Sequence, residues 1–208
     1  MKVKAILTPS SKLTLIKPTD NASIAMEKIN ELGVLSLPVV DGKRFVGFIS
    51  KQFLYETFFK EEKTDMNEFL SREVSTFIHT QVDPINSEAY IEQAAKVFFE
   101  NNVRFIPVIN EQNEFLGIVT QKAIFGLLAK VYGIEDPKIT IATNDVKGIL
   151  SKLAEIITKK GGNITNIAML TTSVKGVDDI SIRLVADDVD SIVKKLRKEG
   201  FQITDYQK

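Results

Sequence analysis

Two hydroxyl residues, Ser50 and Thr120, close matching apolar runs, Phe45-Val46-Gly47-Phe48-Ile49-Ser50 and Phe115-Leu116-Gly117-Ile118-Val119-Thr120. A helical segment is expected after each, from about Gln52 and about Lys122. A hydroxyl at a strand-to-helix junction lies beside unpaired backbone N–H groups and the positive end of a helix dipole, a setting suited to phosphate. The same setting suits a helix N-cap, so both roles are open to Ser50 and Thr120. The remaining chemistry is sparse. The one histidine, His79 in Thr76-Phe77-Ile78-His79-Thr80, has no acid–base partner in its segment and reads as structural. Cysteine is absent, which excludes disulfides, iron–sulfur clusters and thiolate zinc sites. A metal site would need carboxylates and a hard ion such as Mg²⁺ or Ca²⁺, and no EF-hand spacing occurs. Gly-x-Ser-x-Gly, His-Glu-x-x-His and a Gly-rich phosphate loop are also missing. The expectation is no catalytic residue, no metal and no permanent cofactor.

Composition narrows the partners. The 208 residues carry 27 bases and 27 acids, so no net field draws the chain to nucleic acid or an anionic membrane. An apolar fraction of 44% and a charged fraction of 26% are ordinary for a globular protein. The apolar stretch at Met1–Leu7 stops at Thr8-Pro9, too short for a signal-peptide core, and no run is long enough to span a bilayer. A cytoplasmic protein with neither nucleic-acid nor membrane partners is expected.

The elements that must position Ser50 and Thr120 repeat. Val34-Leu35-Ser36-Leu37-Pro38-Val39-Val40 aligns with Val103-Arg104-Phe105-Ile106-Pro107-Val108-Ile109. Pro38 and Pro107 lie 69 residues apart, and Gly47 and Gly117 lie 70 apart. The one-residue difference falls in the turn, where Asp41-Gly42-Lys43-Arg44 becomes Asn110-Glu111-Gln112-Asn113-Glu114. Each copy reads as a helix feeding a hairpin and then a second helix. The first helices are expected to bury Ile24, Ala25, Ile29 and Leu32 in one copy, and Ala94, Ala95, Phe98 and Phe99 in the other. Units this small expose an apolar face and must pack together.

The pattern of two apolar residues flanking Pro-Val, a polar turn and a glycine strand ending in Ser or Thr resembles the CBS domain, and its two copies resemble a CBS pair over residues 1 to 133. The segment Leu7-Thr8-Pro9 resembles the family's opening segment. The resemblance implies an adenine-nucleotide site in which Ser50, Thr120, Arg104 and Thr8 contact the ligand. It also places a ribose-gripping aspartate three residues after each hydroxyl, where this chain has Phe53 and Ala123. A carboxylate's hydrogen bonds are worth about 1.5–3 kcal/mol each. Losing them weakens ordinary ribose recognition roughly ten- to a thousandfold.

The pattern changes after Tyr132-Gly133-Ile134-Glu135-Asp136-Pro137. A strand at Ile139–Ala142, a polar turn at Asn144–Gly148 and a helix with Ile149, Leu150, Leu153, Ile156 and Ile157 on one face come first. Gly161-Gly162-Asn163 stops that helix, and strands follow at Ile164–Thr171 and Asp179–Val185, joined near Lys175-Gly176. A helix carrying Val189, Ile192, Val193 and Leu196 leads to a last strand at Phe201–Thr204. This βαββαβ order, with Asp145-x-x-Gly148-Ile149-Leu150 and Gly162-Asn163-Ile164, resembles the ACT domain, a ferredoxin-like fold. The resemblance implies pairing between chains and an amino-acid site at Asp145, Gly148 and Asn163. Asp145 is equally suited to an N-cap and Asn163 to the turn.

The expected fold is therefore α/β (α+β), with a CBS unit at 1–62, a second at 63–133, a linker at 134–138 and an ACT domain at 139–208. The whole order resembles the acetoin utilisation (AcuB) family. It implies a non-enzymatic, homodimeric regulator sensing a small molecule such as AMP, ADP, ATP or S-adenosylmethionine. The alternatives are an interaction scaffold with degenerate CBS sites and an ACT-based amino-acid sensor.

Overall fold

The computed structural model describes residues 1–61, 64–80, 83–144, 147–171 and 178–208. In chain order its elements are β1 (Thr8–Pro9), α1 (Ala22–Leu32), β2 (Ser36–Asp41), β3 (Arg44–Ser50), α2 (Lys51–Lys60), α3 (Met66–Ser71), β4 (Ile85–Asn86), α4 (Ile91–Glu100), β5 (Phe105–Ile109), β6 (Phe115–Thr120) and α5 (Gln121–Tyr132). The order continues with β7 (Lys138–Thr143), α6 (Ile149–Lys159), β8 (Asn163–Thr171), β9 (Asp178–Val185), α7 (Val189–Lys198) and β10 (Gln202–Gln207). Two compact units result, Met1–Phe125 and Gly126–Lys208.

The two repeats form the two expected hairpins, β2–β3 and β5–β6, in the same register. Val39 faces Gly47 in one and Val108 faces Gly117 in the other, and each hairpin bulges at the next residue. The extra residue of the second turn is absorbed by Asn110, whose Oδ1 accepts from the N–H groups of Gln112 and Glu114. Asn113 takes the left-handed conformation that Gly42 takes in the first turn.

Each hairpin is completed by chain from the other repeat. The N-terminal strand β1 pairs with β6, Thr8 opposite Ile118. Reciprocally, His79 pairs antiparallel with Phe48 of β3 through bonds of 2.9 and 3.1 Å. On the far side of each hairpin a parallel partner joins, β4 beside β5 and Ile16 beside Val39. This exchange crosses the division expected at residue 62. Phe69, Val74 and Phe77, placed by sequence in the second unit, are buried with Ile16, Ala25, Ile29, Leu37 and Ile49 of the first. The N-terminus behaves likewise, Val3 and Lys4 donating to Ala89 and Ser87 of the second repeat.

Helix phase departs from expectation only in part, since Ala25, Ile29 and Ala94 are buried as expected. Helix α1 buries Ala22, Ala25, Met26 and Ile29, an i, i+3, i+4, i+7 stripe, and leaves Ile24 and Leu32 exposed. Helix α4 buries Ile91 and Ala94, whereas Phe99 is 92% exposed. In both cases the helix begins before the first large apolar residue of the run used to phase it. The facing surfaces of the two hairpins close over Val40, Phe45, Phe48, Phe115 and Ile118. An ion pair, Lys43 to Glu114 at 2.8 Å, joins them at the turns. Hydrogen bonds from Lys43 and Asn110 hold the Glu114 carboxyl below its usual range.

The C-terminal unit is a four-stranded antiparallel sheet in the order β10-β7-β9-β8, with α6 and α7 packed on it. Period-2 burial of Ile139 and Ile141 on β7, and of Ile180, Ile182 and Leu184 on β9, meets Leu153, Ile157, Ile192 and Leu196 of the helices. The segment expected as a linker, residues 134–138, and the end of α5 are hydrogen-bonded to the sheet. Arg183 Nη1 donates to Ile134 O and Asp136 O at 3.1 and 2.7 Å, and Asn166 Nδ2 donates to Val131 O at 2.9 Å. The turn expected at Lys175-Gly176 lies outside the described residues. Among the described residues no helix is long and apolar enough to cross a membrane.

Helix α7 is capped by Asp188, whose carboxylate accepts from Ser191 N–H at 2.9 Å. Asp188→Ala is expected to lower the stability of this unit by about 1 kcal/mol, read as a shift in urea midpoint by circular dichroism.

Candidate functional site

A cavity of about 330 Å³ opens in the N-terminal unit between the repeats. Leu35, Ser36, Phe48, Ser50, Gln52 and His79 line it from one side, and Asn102, Arg104 and Phe105 from the other. Of the residues singled out by sequence, Ser50 and Arg104 thus meet in one place. Ser50 ends β3, and its Oγ accepts from Phe53 N–H at 3.2 Å, capping α2. Its own O–H remains available to donate. Arg104 stands just ahead of β5, exposed. Among the described residues its guanidinium has no carboxylate partner.

Thr120 and Thr8 are not part of this wall. Thr120 Oγ1 accepts from Ala123 N–H at 3.1 Å and caps α5 as Ser50 caps α2. Thr8 stands opposite Ile118, the place that His79 occupies opposite Phe48. Of the four residues, the structure therefore brings only Ser50 and Arg104 to one cavity.

His79, read from sequence as structural, forms part of the cavity wall. Its backbone is pinned to Phe48, and its ring packs on Phe53 at 4.7 Å between centroids. Its Nδ1 is buried without a hydrogen-bond partner among the described residues. Phe53 thus stands behind the imidazole. Phe48 and Phe105 meet edge to face at 4.4 Å and give the cavity an apolar surface. No local signal marks His79 or Asn102 as wall residues, because only the exchange of segments brings them there.

In the C-terminal unit, Gly148 precedes α6 in a left-handed conformation and Asn163 opens β8 after it. An 11-residue helix of about 16 Å separates them, so one chain does not bring the two together. Asp145 lies outside the described residues. A wider cavity of about 830 Å³, lined by Asn144, Lys147, Ile149, Lys152 and Phe201 among others, includes neither Gly148 nor Asn163. No three His, Asp or Glu side chains among the described residues gather to hold a metal ion.

The family model described as the CBS domain matches residues 3–52 and 74–130, just over half of the chain. The chain belongs to the CBS-domain family. Its two matched segments bracket the two hairpins, so the N-terminal unit is a CBS pair. Among solved structures, CbpB in complex with c-di-AMP is 27% identical, with a TM-score of 0.54, covering 62% of this chain and 84% of CbpB. A CBS domain pair/ACT domain protein from Thermotoga maritima is 19% identical, with a TM-score of 0.51, over 62% of this chain and 96% of that one, and shows the fold alone. Among curated proteins, an inosine-5′-monophosphate dehydrogenase of Korarchaeum cryptofilum is 20% identical over 182 residues, 84% of this chain. This CBS chain spans only 36% of that relative's length.

Proposed function

We propose that the CBS pair senses an adenine-containing nucleotide and that the protein is a non-enzymatic, cytoplasmic regulator of the AcuB kind. The observation that carries this is the meeting of Ser50 from one repeat with Arg104 from the other in a single cavity. A ligand bridging them favours one arrangement of the repeats over another, which is the physical requirement for a sensor. The complex of CbpB with c-di-AMP supports the ligand class. The βαββαβ unit, which resembles an ACT domain, would relay the bound state through homodimerisation, or through an amino acid held between two chains, Asp145 and Gly148 coming from one and Asn163 from the other.

Calorimetry with AMP, ADP, ATP, cyclic dinucleotides and S-adenosylmethionine tests the reading, and silence toward all of them refutes it. Arg104→Gln is expected to weaken the nucleotide that binds by about ten- to a hundredfold, the worth of a charge-assisted hydrogen bond. Its melting temperature without ligand should stay that of the parent, since the side chain is exposed.

The Ser50 and Thr120 caps favour a second reading, an interaction scaffold whose clefts hold no ligand. Thermal-shift screens run separately with nucleotides and amino acids discriminate, because only a ligand of the folded state raises the melting temperature.

A further inference from the structure

We propose that the cavity between the CBS repeats accepts a single adenine nucleotide through its base and phosphate alone, leaving the ribose hydroxyls unread. The inference rests on the nucleotide reading above and specifies what that site discriminates. Its basis is the balance of donors and acceptors in the wall. Among the described lining residues there is no carboxylate. Arg104 offers five N–H groups and accepts nothing, and Ser50 Oγ already accepts from Phe53 N–H, leaving its O–H and a single lone pair. Gln52 turns its amide N–H toward Glu56 at 2.8 Å, on its own helix.

A ribose diol is gripped most firmly when both hydroxyls donate to the paired oxygens of one carboxylate, and the described wall offers only single acceptors, on Ser36, Gln52 and Asn102. A phosphate, rich in acceptors and negatively charged, matches Arg104 and Ser50 directly. The edge-to-face pair Phe48–Phe105 gives a flat base an apolar surface. A volume of about 330 Å³ lies at the small end of ligand cavities, which suits one nucleotide rather than two joined.

The test is calorimetric titration of the full chain with AMP, 2′,3′-dideoxy-AMP, ATP, 2′,3′-dideoxy-ATP and adenosine. The expected result is that each dideoxy compound binds within about twofold of its parent, while adenosine binds at least tenfold more weakly than AMP. A tenfold or greater loss on removing the hydroxyls overturns the inference and leaves the nucleotide reading intact. So does silence toward all five compounds when a cyclic dinucleotide or S-adenosylmethionine binds. Adenosine binding as tightly as AMP also overturns it, since the phosphate would then contribute nothing. Silence toward every nucleotide removes both readings together.

Discussion

Gly117→Val is expected to destabilise the N-terminal unit by about 2–6 kcal/mol, combining backbone strain with overpacking. Gly117 has φ of 148°, a conformation that a β-branched residue rarely takes. A Cβ built there would overlap Thr8 O and come within 2.9 and 3.0 Å of Pro9 Cα and Ser10 N. Those atoms are backbone and cannot rotate aside, so β1 would be driven off β6. Urea denaturation followed by circular dichroism measures the loss, and hydrogen exchange should localise it to β1, β5 and β6. The mirror substitution Gly47→Val should act alike, because a Cβ there would overlap Ile78 Cγ2 and reach His79 O at 3.0 Å. It should also damage the cavity by displacing His79. An unchanged midpoint in Gly117→Val would mean that β1 does not pair with β6.

The second large effect is expected at Phe77. Its ring is 1% exposed and packs on Phe69 at 4.8 Å, within the core of the first repeat. Phe77→Ala removes a large buried side chain from a close-packed site, a change that costs about 3–5 kcal/mol. Phe99→Ala is the control, since that ring is exposed, and its expected change lies within about 0.5 kcal/mol. The comparison tests the assignment of residues 64–79 to the first repeat's core. A small loss at Phe77 would contradict that core. A large one at Phe99 would mean that its surface is covered in solution.

Much of this architecture is legible in the residues. Val-Leu-Ser-Leu-Pro-Val-Val and its partner run specify strands locally, and Gly42 or Asn113 specifies the turns. In the C-terminal unit, Val189, Ile192, Val193 and Leu196 mark a helix face, and all three residues Ile192, Val193 and Leu196 are buried. The phase of α1 was harder to see because half of its buried stripe is alanine. Ala22 and Ala25 are completely buried, whereas the larger Ile24 and Leu32 face outward. Alanine carries little hydrophobic signal but permits close approach of neighbouring elements.

The candidate site was legible only in part. Ser50 and Thr120 could be placed at helix starts from sequence, and both cap their helices. That Ser50 shares a wall with Arg104, and Thr120 does not, depends on pairing between distant segments. His79 shows why. Its position is fixed by backbone bonds to Phe48, 31 residues earlier, and an apolar stretch such as Thr-Phe-Ile-His-Thr holds no trace of that partner.

The pairing of Thr8 with Ile118 also bears on how the chain comes off the ribosome. Synthesis proceeds at about 5–20 residues per second, so the first strand waits roughly 5–20 seconds before its partner is made. Throughout that interval the first hairpin can form, yet the opening residues have nothing to join. Val3, which ends wholly buried, stays open to solvent and to chaperones for the same period. A second nascent chain nearby could offer its own finished hairpin first. Polysome crowding is therefore expected to raise the yield of strand-exchanged dimers, and diluting the translation reaction to reduce it.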